Sequence, residues 1–173
     1  MKKLLIVIDM QMDFVTGSLG SADAAAILPG VSAKVNEAHA QNTPVIFTRD
    51  THPENYLQTF EGAHLPITHC VAGTPGHAIV PQLNVTAADI IIDKPTFGST
   101  ELAERLHGLI TQDTVIELCG LCTDICVVSN ALLLRAHFPG NEIVVDSAAC
   151  AGVTQQSHNA ALTTMRMCQI TVN

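Results

Sequence analysis

Positive charge is scarce in this sequence. Eight lysines and arginines stand against sixteen aspartates and glutamates, a formal net charge of −8. That balance argues against a nucleic-acid partner and docking on an anionic membrane surface, because both select basic patches. Long apolar runs are missing too, and none approaches the roughly 20 residues of a membrane span. The opening Met1-Lys-Lys-Leu-Leu-Ile-Val-Ile-Asp9 stops at Asp9 with no cleavage site behind it, so it reads as a first strand rather than a leader. Six cysteines in a chain of this size do not form a recognisable disulfide framework, which points to a reducing cytoplasm. There is no repeat, no linker and no low-complexity tract. Tryptophan is absent altogether.

What the chain does have is apolar mass. Hydrophobic residues make up 47% of the 173 positions and charged residues 14%, which suits one domain, residues 1–173, with a sizeable core. Five runs have strand character: Leu4–Ile8, Pro44–Thr48, Asp89–Ile92, Thr114–Leu118 and Glu142–Val145, with Ile170–Val172 as a sixth. Most are rich in Val and Ile without alternation, as in strands buried on both faces. Helical spacing lies between them. Leu28, Val31, Val35 and Ala38 mark one face, and Leu102, Leu106 and Leu109 mark another behind a Thr100 cap. Thr154 caps a last helix carrying Ala161, Leu162 and Met165. Strands alternating with helices give an α/β fold with a mostly parallel sheet covered on both sides. Residues 51–81 break the rhythm with four histidines, and they read as a long ordered excursion of the kind that carries function.

The polar residues that close the strands make the chemical case. Asp9 follows the first strand, Asp50 the second and Lys94 the third, and a turn at Gly120 follows the fourth. Ligand sites in open parallel sheets form outside the carboxyl ends of the strands, so these groups converge at one edge. After Gly120, with Thr123 as N-cap, Asp124 to His137 reads as a helix with Cys126 in its first turn. A thiol at the positive end of a helix has its pKa drawn below the free value of about 8.5 and becomes a better nucleophile.

Asp9-Met-Gln-Met-Asp-Phe14, Lys94 with Phe97 behind it, and Gly120-Leu-Cys-Thr-Asp-Ile-Cys-Val127 resemble, in order, the signatures of the isochorismatase-like cysteine hydrolases. The resemblance implies a three-layer α/β/α fold around a sheet of about six strands. It implies Cys126 as nucleophile, Asp9 as acid/base partner and Lys94 as the cation that orients them. It also implies an oxyanion hole from the backbone N–H groups of Cys122 and Cys126, behind a cis peptide at Leu121–Cys122. Asp50-Thr-His52 with His69-Cys-Val-Ala-Gly-Thr-Pro-Gly76 resembles the nicotinamidase branch. On that likeness Asp50, His52 and His69 hold one divalent transition metal, Zn, Fe or Mn, which binds a pyridine nitrogen and sets the carboxamide against the thiol. Two departures stand out. Leu65-Pro66-Ile67 occupies the place where that branch carries a ring-stacking Trp, and Thr100 stands where an aromatic is often found. Phe14 and Phe97 remain as substrate walls.

The expected activity is hydrolysis of nicotinamide to nicotinate and ammonia through a thioester. The alternatives are another small amide, or an isochorismatase-type substrate. The expected partners are a small amide and further copies of the chain, without nucleic acid or membrane. Two other classes compete. Cys119-Gly-Leu-Cys122 has the spacing of a thioredoxin-like redox pair, and a non-catalytic binding protein keeps the fold without the chemistry. Cys70, Cys119, Cys150 and Cys168 read as small apolar residues. His64 and His77 read as loop surface, with His64 an extra neighbour for the metal, and Glu117 in an apolar strand has no evident role.

Overall fold

The computed structural model describes residues 2–173. Strands β1 (Lys2–Ile8), β2 (Val45–Asp50), β3 (Ile90–Lys94), β4 (Thr114–Leu121), β5 (Ile143–Ala151) and β6 (Thr171–Val172) form one sheet in the order β3-β2-β1-β4-β5-β6. All its pairings are parallel. Leu4 to Ile8 of the central β1 are buried without a break, which explains a run that is apolar on both faces. The edge strand β3 alternates instead: Ile92 and Lys94 point inward while Ile91 and Asp93 are exposed.

The helices are α1 (Met12–Val15), α2 (Ala22–Ala40), α3 (Phe60–His64), α4 (Thr100–Leu106), α5 (Val128–His137) and α6 (Gln155–Met167). The chain steps outward from β1 to β2 and β3, returns past β1, and then steps the other way through β4, β5 and β6. Right-handed crossovers therefore put α2 on one face and α4, α5 and α6 on the other. Val31, Val35 and Ala38 of α2 are buried as their spacing predicts, and Leu28 is half-buried. The direction of winding reverses between β1 and β4. Their carboxyl ends open the crevice where such sheets bind ligands. Among the described residues, no helix is long and apolar enough to cross a membrane.

Several local expectations need correction. Ser99, not Thr100, caps α4: it is extended, and its side chain accepts the Leu102 N–H. The chain does not turn at Gly120 but continues as strand to Leu121, beside Ile8 of β1 and Cys150 and Ala151 of β5. Gly120 has φ +117°, and a Cβ there would lie 2.1 Å from the Ile8 carbonyl oxygen. The glycine thus marks close approach of two strands rather than a reversal. Thr123 caps nothing. It opens a π-helical segment, Thr123–Val127, and its hydroxyl pairs with His158 Nδ1 at 2.8 Å. Thr154 does cap α6, in a capping box with Ser157. Glu117 also finds its place: Lys34 of α2 reaches it at 2.6 Å and Asp146 of β5 at 2.5 Å, tying helix to sheet.

Candidate active site

Three strand ends and the π segment deliver the site. Lys94 is its hub. Its Nζ lies 2.6 Å from Asp9 Oδ2, 3.4 Å from Cys126 Sγ and 3.4 Å from Asp50 Oδ1. It also donates to the Thr96 carbonyl at 3.2 Å. Asp9 and Lys94 are completely buried and Cys126 is 5% exposed. The sequence reading overlooked two residues that hold them. Thr48 of β2 donates to Asp9 Oδ1 at 2.6 Å and accepts from the Asp9 N–H at 3.2 Å. Asn130 of α5 donates to the carbonyls of Cys126 (2.8 Å) and Phe97 (3.0 Å) and accepts from the Ser99 N–H (2.9 Å). The only trace of either in the sequence is a polar residue in an apolar stretch.

The electrostatics revise the expected thiol. Burial drives the Cys126 pKa well above its ordinary value and the Asp9 charge adds to this, while Lys94 opposes both. Desolvation outweighs any gain from a helix terminus, so burial favours the thiol over the thiolate. Burial also raises the Asp9 pKa against the pull of Lys94, with the Asp50 charge adding to the rise. For Lys94, burial works against the charge, but Asp9, Cys126 and Asp50 together hold the ammonium well above the usual lysine range.

Beside this trio, Asp50, His52, Glu61 and His69 present ligand atoms that all lie within 4.8 Å of one another. Asp50 Oδ2 is 2.8 Å from His52 Nε2 and 3.5 Å from His69 Nε2, and Glu61 Oε1 lies 3.7 and 3.8 Å from the same two nitrogens. The cluster fits a transition metal on its own chemistry. His69 Nδ1 donates to the Ile67 carbonyl at 2.8 Å, which fixes the ring with Nε2 toward the cluster, where a neutral imidazole would offer that nitrogen's lone pair to an ion. Two imidazoles and two carboxylates are a donor set suited to Zn, Fe or Mn. The Asp50 carboxyl is held well below the usual range: burial opposes this, and hydrogen bonds from His52 and His69 with the charge of Lys94 prevail. Burial and the Asp50 charge raise the Glu61 pKa.

Cys126 of the trio and Asp50, Glu61 and His69 of the cluster line a cavity of about 440 Å³, while Asp9, Lys94 and His52 are not part of its lining. Its walls are Phe14, Leu19, Leu65, Phe97, Ile125 and Val153, and Cys122 lines it beside Cys126. The Leu121–Cys122 peptide is cis. Residues 3–173 match the family model described as the isochorismatase domain. This chain belongs to the isochorismatase family. Across 97% of its length the family member is 29% identical to a nicotinamidase of Schizosaccharomyces pombe, covering 91% of that protein. It is also 29% identical over 97% of its length to a nicotinamidase/pyrazinamidase of Mycobacterium tuberculosis, covering 96% of it. Among solved structures it resembles a pyrazinamidase of Pyrococcus horikoshii in complex with zinc, with a TM-score of 0.87, 29% identity, and coverage of 100% of this chain and 99% of that one.

Within this isochorismatase-family site, two histidine assignments change. His64 is not the extra neighbour of the cluster. It stands at the cavity mouth, exposed, with Nδ1 on the Phe60 carbonyl, and Glu61 from the preceding turn takes the place instead. Nothing in the spacing of the excursion singles out Glu61. His77 is not surface: it is buried, with Nε2 2.8 Å from the Thr51 hydroxyl. Phe14 lies 5.5 Å from the His69 ring, so one aromatic wall adjoins the cluster directly. Cys119 is completely buried in β4, unpaired and with its pKa driven up by burial, which argues against a redox couple with Cys122.

Proposed function

We propose that this protein is a metal-binding cysteine amidohydrolase that converts nicotinamide to nicotinate and ammonia. Asp9, Lys94 and Cys126 are assigned to the chemistry, and Asp50, His52, Glu61 and His69 to one divalent ion. The observation that carries the reading is one buried lysine in contact with a carboxylate, with a thiol and with Asp50 of the ligand cluster, the thiol and Asp50 both lining an apolar cavity. The nicotinamidases among its relatives support the same substrate. A bound ion supplies an electron-pair acceptor for a ring nitrogen or a water molecule.

The residues perform the reaction as follows. Asp9 accepts the Cys126 proton as Sγ bonds to the amide carbon. The carbonyl electrons move to oxygen, where the N–H groups of Cys122 and Cys126 receive the oxyanion. The oxyanion collapses, the C–N bond breaks, and the departing nitrogen takes the proton from Asp9 and leaves as ammonia. Asp9 then takes a proton from water as its oxygen attacks the thioester. The C–S bond breaks, the carboxylic acid forms, and the sulfur recovers its proton from Asp9. Lys94 holds the carboxylate and the sulfur in register throughout.

The second reading, an anionic isochorismatase-type substrate, is opposed by the cavity. No lysine or arginine lines it among the described residues, whereas Asp50 and Glu61 do. The test is ammonia release from nicotinamide beside a panel of neutral and anionic small amides, with Cys126→Ala as control. Nicotinamide is expected to lead the panel, with activity lost in the variant. Preference for an anionic amide would overturn the substrate, and activity surviving in Cys126→Ala would overturn the mechanism.

A further inference from the structure

We infer that Asp13 is a positioning residue for the metal cluster, fixing His69 against His52 through the main chain of Cys70. The inference rests on the reading of Asp50, His52, Glu61 and His69 as metal ligands. Cys70 directly follows His69, is buried, and has φ +46°. A residue bearing a Cβ is disfavoured in that left-handed region and stays there only where its surroundings hold it. Two hydrogen bonds do the holding. The Cys70 N–H donates to Asp13 Oδ2 at 2.8 Å, and the Cys70 carbonyl accepts the His52 N–H at 3.0 Å. The Ala72 N–H returns to the His52 carbonyl at 2.9 Å. A continuous path thus runs from the Asp13 carboxylate through Cys70 to His52, with His69 one residue from its middle.

The same short segment grips the third ligand. Gln11, completely buried, accepts the Asp50 N–H at 2.7 Å and donates to the Asp50 carbonyl at 2.9 Å. Its amide nitrogen also reaches the His77 carbonyl at 2.9 Å. Residues 11 and 13, two and four positions on from Asp9, therefore hold the main chain around Asp50, His52 and His69. Gly76 supplies an independent sign that the Asp13 carboxylate is built into this place. A Cβ at Gly76 would lie 2.0 Å from Asp13 Oδ2, so the carboxylate fills the space a side chain would need.

The experiment measures zinc affinity by competition with a chromophoric chelator, with iodoacetamide alkylation of Cys126 as a parallel readout that does not pass through the cluster. Asp13→Ala is expected to weaken zinc binding at least tenfold, with the alkylation rate within about twofold of wild type. Gly76→Ala should reproduce the loss by pushing the carboxylate off Cys70. The double variant should bind no more weakly than Asp13→Ala, because both changes break one link. Asp13→Asn keeps an acceptor oxygen for the Cys70 N–H and should recover most of the affinity. Wild-type affinity in Asp13→Ala or Gly76→Ala, losses that multiply in the double variant, or alkylation falling in step with zinc binding would each overturn the assignment. Should Asp13→Ala fail to fold, Gly76→Ala and Asp13→Asn decide. A wild-type protein without zinc affinity is a different result, and it removes the metal reading itself.

Discussion

Lys94 is the residue on which the proposed chemistry turns, because its one charge serves Asp9, Asp50 and the sulfur together. Lys94→Met keeps most of the stem and removes the charge. The cation opposes the rise in the Asp9 pKa, so its loss raises that pKa further and protonates the base over a wider range. The acidic limb of kcat/KM should therefore move to higher pH, and kcat should fall at least about a hundredfold. A pH–rate profile superimposable on wild type would show that Lys94 plays no part. Stability need not fall, since a buried ion pair is often no better than an apolar substitute. At this scale the sequence was informative wherever a polar residue closed an apolar run, as at Asp9, Asp50 and Lys94. It was silent on Glu61 and Thr48, whose meaning depends on which strands and turns become neighbours. The thiol was misjudged because helix position is visible in a sequence and desolvation is not.

Between elements, α2 is fastened to the sheet by a single lysine shared between two strands. Lys34 meets Glu117 of β4 and Asp146 of β5, and these carboxylates hold its pKa above the usual range against the effect of burial. With a folded pKa above the unfolded one, the contribution is complete below the unfolded lysine value of about 10.4 and lost at higher pH. The group is partly solvated, so Lys34→Met should cost only about 1 kcal/mol at pH 7. Urea unfolding at pH 7 without and with about 1 M sodium chloride tests this, and an equal deficit in both would show that the loss is packing rather than charge. The order of strands and helices was legible because the apolar period changes between 2, 3.6 and none. Where elements end was less so. Gly120 carries the same letter whether the chain reverses or two strands press together, and only the Ile8 carbonyl distinguishes them. The π segment likewise resembled the first turn of α5, because its residues suit either helix.

At the scale of the molecule, the cluster spans the sheet and the excursion. Asp50 belongs to β2, whereas Glu61 and His69 lie within residues 51–81. A bound ion stabilises the folded chain by mass action, about 2.7 kcal/mol at a hundredfold excess over Kd. Chelation should lower the melting temperature and speed hydrogen exchange in residues 53–70 while the central strands stay protected. Uniform exchange before and after chelation would count against the ion as a clasp. The distribution of thiols has a consequence of its own. Cys70, Cys119, Cys122, Cys126 and Cys150 are all kept protonated by burial. Oxidants and electrophiles react with thiolates, so burial slows the reaction of these five cysteines with them. Under the proposed mechanism Cys126 reacts fastest once a bound amide and Asp9 draw off its proton, which favours electrophiles that fit the cavity over those that do not.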